Sequence, residues 1–464
     1  MSVPPTRYDL VVIGSGPAGQ RGAVAAAKVH KRALVIEKPT MLGGVCVQTG
    51  TIPSKTLREA ILHLSGFRQR VFYGRDYAVK ENISAQDLAF RVHAVVAKET
   101  EVIRAQLKRN GVDVLSGTAR FVDANTVEVD TGDGGSVRAT GDHILIACGS
   151  RAADNPRIPT DGQRIFDADQ IIGLKVIPRE LIVAGAGVIG LEYASMFAAL
   201  GTKVTIIDQR PSVLEFIDRE LVDALFYHLR RQGATMRLGE TVASVAIDDQ
   251  DRVVALLESG KKVHGQALLY AVGRQANCDL LHLSDAGLEA DARGRLVVND
   301  VFQTAVPHIY AAGDVIGFPA LASSSAEQGR LASCHMFGLN CNSLPELLPY
   351  GIYTIPEIST VGKNEQQLTD AKVPYEVGTA KYEELAKGQI VGDETGLLKL
   401  LFDPTTLKLL GVHVIGEGAA EIVHIGQAVL TLGGTIEYFR DTVFNYPTFA
   451  EAYKVAALAG LNRL

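Results

Sequence analysis

Two six-residue glycine patterns carry the strongest chemical signal in the sequence. Gly14-Ser15-Gly16-Pro17-Ala18-Gly19 follows the apolar run Val11-Val12-Ile13, and Gly185-Ala186-Gly187-Val188-Ile189-Gly190 follows Ile182-Val183-Ala184. In a strand-to-helix turn the first glycine makes the tight bend, the second lets backbone approach a pyrophosphate, and the third lets helix and strand pack closely. The pyrophosphate then rests on the N–H groups and positive dipole of the helix N-terminus. Each pattern continues into a helix-compatible segment, 22–28 and 191–200, and then into a second apolar run ending in an acid: Ala33-Leu34-Val35-Ile36-Glu37 and Val204-Thr205-Ile206-Ile207-Asp208. The offset is the same in both copies, since 37 − 14 and 208 − 185 both give 23. An acid at that point reaches ribose hydroxyls. One such motif is weak evidence, but two in full βαβ context with matched acids predict two dinucleotide sites.

The remaining reactive side chains give less. Cys46, Cys148, Cys278, Cys334 and Cys341 are odd in number, scattered and without a CxxC pair. That argues against a disulfide framework and a zinc site, and suits a reducing compartment. The 11 histidines show no HExxH or comparable spacing, so no metal is expected. His413 and His424 fall in apolar runs and read as packing or interface residues.

The elements that must position these groups follow from length and pattern. A chain of 464 residues is too long for one ordinary core and predicts two to four domains. With 47% hydrophobic and 21% charged residues the composition is that of a compact protein rather than a disordered one. Net charge is −6 and no long Lys/Arg run occurs, so nucleic acid is not an expected partner. Apolar stretches are short, and one of the best, Leu181 to Leu191, is flanked by Glu180 and Glu192, so no membrane span is expected. From Met1 the chain enters the run Tyr8 to Ile13 without a targeting pattern, which predicts a cytoplasmic protein. Residues 83–106 read as one or two helices, and 112–142 as short strands divided by Asp133-Gly134-Gly135. The run 143–147 is a buried strand ending at Cys148-Gly149-Ser150, with a partner at 267–274; 308–314 is a third strand–glycine element leading into a helix over 320–337. A linker at 345–349 precedes a separate C-terminal domain with strands at 397–402 and 409–415 and helices at 417–432 and 449–461.

With these residues in place, the whole chain resembles the flavin-dependent disulfide reductases, the group of glutathione reductase, lipoamide dehydrogenase and mercuric reductase. Within it the chain looks most like the soluble pyridine nucleotide transhydrogenase branch. The resemblance implies an α/β fold with two Rossmann-like dinucleotide-binding domains and an α+β C-terminal dimerisation domain. Its parts would be an FAD-binding domain over 1–155 and 277–345, an NAD(P)-binding domain over 156–276 and a dimerisation domain over 346–464. It assigns Gly14, Gly16, Gly19 and Glu37 to FAD, Gly185, Gly187, Gly190 and Asp208 to the nicotinamide dinucleotide, and Gly313-Asp314 to the FAD ribityl and phosphate region. Gly44, Cys46, Thr51, Lys55, Gly149 and Gly273 join the cofactor-binding set. Ala320, Leu321 and Ala322 would lie near the flavin pyrimidine ring, where a helix N-terminus favours the negative charge of reduced flavin.

Two departures from the family pattern bear on the reaction. The family's redox motif has two cysteines four residues apart, followed by Ile-Pro-Ser-Lys, whereas this chain reads Cys46-Val47-Gln48-Thr49-Gly50-Thr51-Ile52-Pro53-Ser54-Lys55. Thr51 stands where the flavin-facing cysteine would be, and a hydroxyl forms no disulfide. The family's C-terminal His-Pro-Thr-x-x-Glu reads Tyr446-Pro447-Thr448-Phe449-Ala450-Glu451. A phenol, with a reference pKa near ~10, is a poor acid–base at neutral pH. Both changes fit the transhydrogenase branch, of the Si-specific type: reversible hydride exchange from NADPH to NAD through FAD, with ping-pong kinetics.

The resemblance also pairs Lys55 with Glu192 near the reacting ring, the alternatives being a surface lysine and a solvated first-turn acid. Cys46 reads as a vestigial buried thiol more than a catalytic one, and Cys148 as structural. Asp208 favours an NAD ribose and repels a 2′-phosphate, which Arg210 offsets. The pair fits use of both NAD and NADP, and equally an NAD-preferring site with a surface arginine. A homodimer, or a higher homo-oligomer, is implied, with Tyr446 and Glu451 approaching the partner's flavin. The rival functions are an NAD(P)H:quinone or dye oxidoreductase and a non-catalytic FAD-binding scaffold.

Overall fold

The computed structural model describes residues 6–74, 76–341 and 343–464; Met1 to Pro5, part of the segment read for targeting, lie outside them. The chain forms two compact units: Met1–Leu57 with Ala89–Asp154 and Gly273–Pro345, and Arg58–Leu88 with Asn155–Val272 and Glu346–Leu464.

The first unit is built on a seven-stranded sheet. Its parallel part runs Asp113–Ser116, Ala33–Glu37, Thr6–Ile13, Ser136–Ile146, Ile309–Ala311. Parallel strands buried on both faces need apolar residues at every position, and Leu10, Val11 and Val12 are all fully buried. Val11 and Ile13 face one core together with Ile36 and Ile144, whereas Leu10 and Val12 face another with Val35 and Leu145. Each such side chain contributes about 1.5–3 kcal/mol by leaving water. The strand Ser136–Ile146 is long enough to serve twice, because its first half pairs antiparallel with Thr126–Asp130, which pairs with Thr118–Phe121.

In the second unit the same design recurs. The parallel order is Thr235–Leu238, Lys203–Asp208, Glu180–Ala184, Ala267–Tyr270, Ile165–Asp167. An antiparallel meander, Val242–Ile247, Val253–Leu257 and Lys262–Gly265, again fills the connection between the first and fourth of these. The runs 143–147 and 267–274, read as partners, do not pair with each other. Each is the fourth strand of its own sheet. The copies differ at the fifth strand, since Ile309–Ala311 follows its sheet in the chain and Ile165–Asp167 precedes its own, and in the meander, which is a sheet of its own in the second unit.

The segment 83–106 forms one helix, Ala85–Arg109. At the C-terminus a five-stranded antiparallel sheet, in the order Tyr350–Ile352, Ile358–Gly362, Leu409–Ile415, Leu397–Phe402, Glu376–Lys381, packs against the helices Ala419–Thr431 and Glu451–Leu461. Lys399 crosses this sheet with its side chain 1% exposed, and its Nζ donates to Asp218 and Glu220, both at 2.9 Å, and to Glu365. Those three carboxylates cluster closely enough to hold a cation, and the lysine ammonium is that cation.

One expectation fails here. Cys334 and Cys341 are joined by a disulfide, although seven residues apart with no CxxC spacing. The pairing depends on a chain reversal after the helix Ala322–Met336 that residue spacing does not encode.

Candidate active site

The two glycine turns have nearly the same geometry. Gly14 and Gly185 adopt φ of +105° and +107°, a region an L-residue with a side chain rarely enters. Gly14 N donates to Ile36 O and Gly185 N to Ile207 O, each at 2.8 Å. A Cβ on Gly19 would lie 1.9 Å from Gly14 O, and one on Gly190 the same distance from Gly185 O. Only glycine fits at either place. A Cβ on Gly16 or Gly187, by contrast, would meet nothing within 4 Å. Both residues are helix N-caps without a side-chain cap hydrogen bond, ahead of Pro17–Lys28 and Val188–Ala199. Open space in front of an uncapped helix N-terminus is the cradle a pyrophosphate needs.

The acids complete each turn. Ser15 N donates to Glu37 Oε2 and Ala186 N to Asp208 Oδ2, both at 2.7 Å. The Ser15 hydroxyl adds a bond to Glu37 at 2.8 Å and itself accepts from Gly43 N at 2.8 Å, a role with no counterpart at Ala186. The copies differ most on the far side of the acid. Arg210 lies on Asp208 through Nε at 2.9 Å and Nη2 at 2.7 Å, a two-pronged ion pair, whereas the matching position of the first copy is Pro39. The electrostatics diverge accordingly. Burial pushes the Glu37 carboxyl above its ordinary value, against hydrogen bonds from Ser15 and Lys38. At Asp208 burial pushes the same way, but the bonds from Arg210 and Ala186 outweigh it and hold the carboxyl below its ordinary value.

Around the first turn the unit gathers the other residues assigned to the flavin. Gly43 and Gly44 take positive φ, and a Cβ on Gly44 would press on Gly16 Cα at 2.9 Å. Cys46 lies in the helix Gly44–Gln48 and Thr51 opens Thr51–Leu64. The Thr51 hydroxyl is hydrogen-bonded to the Cys46 sulfur, and burial holds that thiol above its ordinary value. Lys55, half-buried one turn on, approaches Ser54 Oγ at 3.4 Å. Asp314 Oδ2 accepts from the Ser150 hydroxyl at 2.7 Å, and that hydroxyl accepts from Arg274 Nε at 2.8 Å. Gly149, Gly273 and Gly313 take positive φ on the same three segments. Gly313 N donates to Gln328 Oε1 at 2.9 Å. Ala320 and Leu321 lead into the helix Ala322–Met336, which has no side-chain cap. Ser15, Ser150, Arg274 and Gln328 escaped the sequence reading: Ser150 and Arg274 each follow a glycine already singled out, but nothing in the order of residues says that they meet Asp314.

In the second unit Glu192 is 3% exposed, not a solvated acid. Its Oε1 accepts from Tyr353 N at 2.8 Å, and Ser195 Oγ accepts from Ile355 N at 3.0 Å. Burial first, then the charges of Glu357 and Glu192, raise the Tyr353 phenol. Tyr446 is 72% exposed, and Glu451 has its Oε2 buried without a hydrogen-bond partner among the described residues. His413 is a buried packing residue, bonded to Thr360 and to Lys363 O, whereas His424 is exposed and bonded to Gln427.

Residues 8–329 match the pyridine nucleotide-disulphide oxidoreductase family, and 348–457 its dimerisation domain. This chain belongs to that family. It is thus an oxidoreductase of a group that uses FAD, and the first glycine turn with Glu37, Ser15 and the Asp314 network has the donors and the open space to hold it. A soluble pyridine nucleotide transhydrogenase of Mycobacterium tuberculosis (strain ATCC 25177 / H37Ra) is 53% identical over 458 residues, 98% of each chain. One of Erwinia tasmaniensis is 48% identical over 461 residues, again 98% of each. Among solved structures, the HOCl-induced flavoprotein disulfide reductase RclA of Escherichia coli superposes with a TM-score of 0.87 at 28% identity, covering 97% of this chain and 99% of that one. LpdA of M. tuberculosis gives 0.89 at 26% identity, covering 98% and 99%. No described helix is long and apolar enough to cross a membrane.

Proposed function

We propose that this oxidoreductase is a soluble, Si-specific NAD(P)+ transhydrogenase, moving hydride reversibly from NADPH to NAD as a cytoplasmic homodimer. Relatives of that name at 46–53% identity over nearly the whole chain support the reading. The observation that carries it is the Cys46–Thr51 contact: a half-buried, protonated thiol beside a hydroxyl has no sulfur partner to pass electrons to a disulfide.

Bound FAD supplies a two-electron hydride carrier. The chain's own residues supply binding and charge. Glu192, an anion held in a buried place by Tyr353 N, favours the cationic oxidised nicotinamide over the neutral reduced one. Lys55 balances charge at the flavin. The uncapped N-terminus of Ala322–Met336 favours negative charge on the flavin pyrimidine. Asp208 accepts ribose hydroxyls of NAD, and Arg210 turns from Asp208 to a 2′-phosphate when NADP is bound.

Anaerobic holoenzyme given NADPH and a thio-analogue of NAD should form the reduced analogue rapidly, with the parallel double-reciprocal lines of a ping-pong reaction. Flavin bleaching by NADPH with no exchange, but fast quinone reduction, would replace this reading with the acceptor oxidoreductase. Failure of NADPH to bleach the flavin at all would leave only the scaffold.

A further inference from the structure

Four of the five cysteines meet in pairs inside the first unit. The sulfurs of Cys148 and Cys278 lie 4.0 Å apart, and Cys334 and Cys341 are bonded. The second pair has the surroundings of a reactive site. Cys334 lies in the last turn of Ala322–Met336 and is 4% exposed. The chain leaves this helix through Gly338, at φ 63°, with Leu339 N donating to Cys334 O at 2.8 Å. That reversal brings half-buried Cys341 back to a Cα separation of 6.3 Å from Cys334, inside the range a disulfide spans without moving backbone. One turn earlier on the helix stands Arg330. Its Nη1 lies 3.6 Å from Cys334 Sγ and 3.3 Å from Cys341 Sγ. Glu327 fixes the guanidinium, accepting from Nε at 2.9 Å and also from Nη2. A cation held against two sulfurs favours thiolate over thiol, and the thiolate is the reactive form.

We propose that Cys334 and Cys341 are a redox-active dithiol site, independent of the hydride-transfer reaction, whose oxidant is a hydroperoxide and whose activating group is Arg330. The partly accessible Cys341 thiolate attacks the peroxide. An S–O bond forms, the O–O bond breaks, and the departing oxygen takes a proton and leaves as water or an alcohol. The Cys334 thiolate then attacks the sulfenic sulfur. The S–S bond forms, the S–O bond breaks, and the second oxygen leaves as water. The two sulfurs lose two electrons in all and the peroxide gains them. A small dithiol reverses the change by exchange, becoming a disulfide itself. Cys46 stands apart from this chemistry, since its neighbour is a hydroxyl and its thiol is kept protonated by burial.

The test uses holoenzyme reduced with a dithiol, desalted, exposed to equimolar hydrogen peroxide and quenched with an alkylating agent at intervals. The tryptic peptide 331–363 holds both cysteines. It should lose the mass of two hydrogens and both alkylation sites about tenfold faster than Cys46 loses its own. Arg330→Ala, in which the same two cysteines fall on the tryptic peptide 296–363, should slow that loss about tenfold and Arg330→Lys restore most of it, with flavin absorbance confirming that each variant is folded. The proposal is overturned if the wild-type pair is oxidised no faster than Cys46, a result that needs no variant. It is equally overturned if a flavin-loaded Arg330→Ala protein reacts at the wild-type rate. Neither result bears on NADPH-to-NAD exchange.

Discussion

At the level of single residues, the protein separates two nearly identical glycine turns by one arginine. Glu37 and Asp208 each hold the backbone of their own glycine turn, but only Asp208 is clasped by a guanidinium. Arg210→Ala should therefore lower kcat/KM for NADPH by about 10- to 100-fold, the value of a lost charge-assisted phosphate contact. The same change should leave NADH within about threefold. Anaerobic kinetics with both donors checks this, and an equal loss for the two would remove Arg210 from nucleotide choice. Thr51 sets the other boundary of the chemistry. Thr51→Cys should create a disulfide with Cys46, seen as two more thiols released by a dithiol than the wild type releases from its Cys334–Cys341 bond. Turnover with small disulfides should stay slow, because the family motif's histidine, the implied proton donor to a leaving thiolate, is Tyr446 here. Brisk disulfide reduction by that variant would show that the thiol alone was missing.

Among the elements, the helix Arg219–Arg231 illustrates how packing and titration combine. Its N-cap Asp218 accepts from Glu220 N, and its buried face carries Leu221, Val222, Leu225, Phe226 and Leu229. His228 in its last turn is brought down to about 4 by burial. An unfolded histidine titrates near ~6.5, so between about 6.5 and about 4 the unfolded chain binds a proton that the folded helix refuses. Stability of the second unit should accordingly decline as pH falls through that window, by up to about 3 kcal/mol from this group. Urea midpoints followed from neutral to mildly acid pH should fall, and more gently in His228→Gln. Equal slopes for the two proteins would assign the decline to other groups.

For the molecule as a whole, Lys399 is an interior charge that links distant parts of the chain. Burial opposes its ionisation, but Glu365, Asp218 and Glu220 hold the ammonium above the ordinary lysine value. Its contribution is therefore fully present at neutral pH and is lost only above the usual lysine range. Lys399 and Glu365 come from the C-terminal domain, and Asp218 and Glu220 from the N-cap and first turn of the helix Arg219–Arg231, so the cluster joins two parts of one unit. Lys399→Met should cost about 3–5 kcal/mol by leaving the 1%-exposed Asp218 carboxylate without its cation. Adding Asp218→Asn should recover part of that loss. A single variant as stable as wild type, measured by urea unfolding, would show that the cluster contributes nothing.

The two βαβ units, their glycines and their acids were legible in the residue order because each is a local matter. A strand must be apolar, a turn with φ near +105° must be glycine, and an acid ending the next strand lies beside that turn. The strands 33–37, 397–402 and 409–415 agree with their observed bounds for the same reason. The loss of the second cysteine was equally plain, being a substitution inside a motif. What the tertiary structure alone decided depends on chain reversals and crossovers that periodicity does not record. Among these are the Arg274–Ser150–Asp314 relay, the burial of Glu192 under Tyr353, the two-pronged pairing of Arg210 with Asp208, and Cys341 folding back on Cys334. Each joins groups through side-chain reach across turns or between elements, and sequence spacing fixes direction only within one strand or helix.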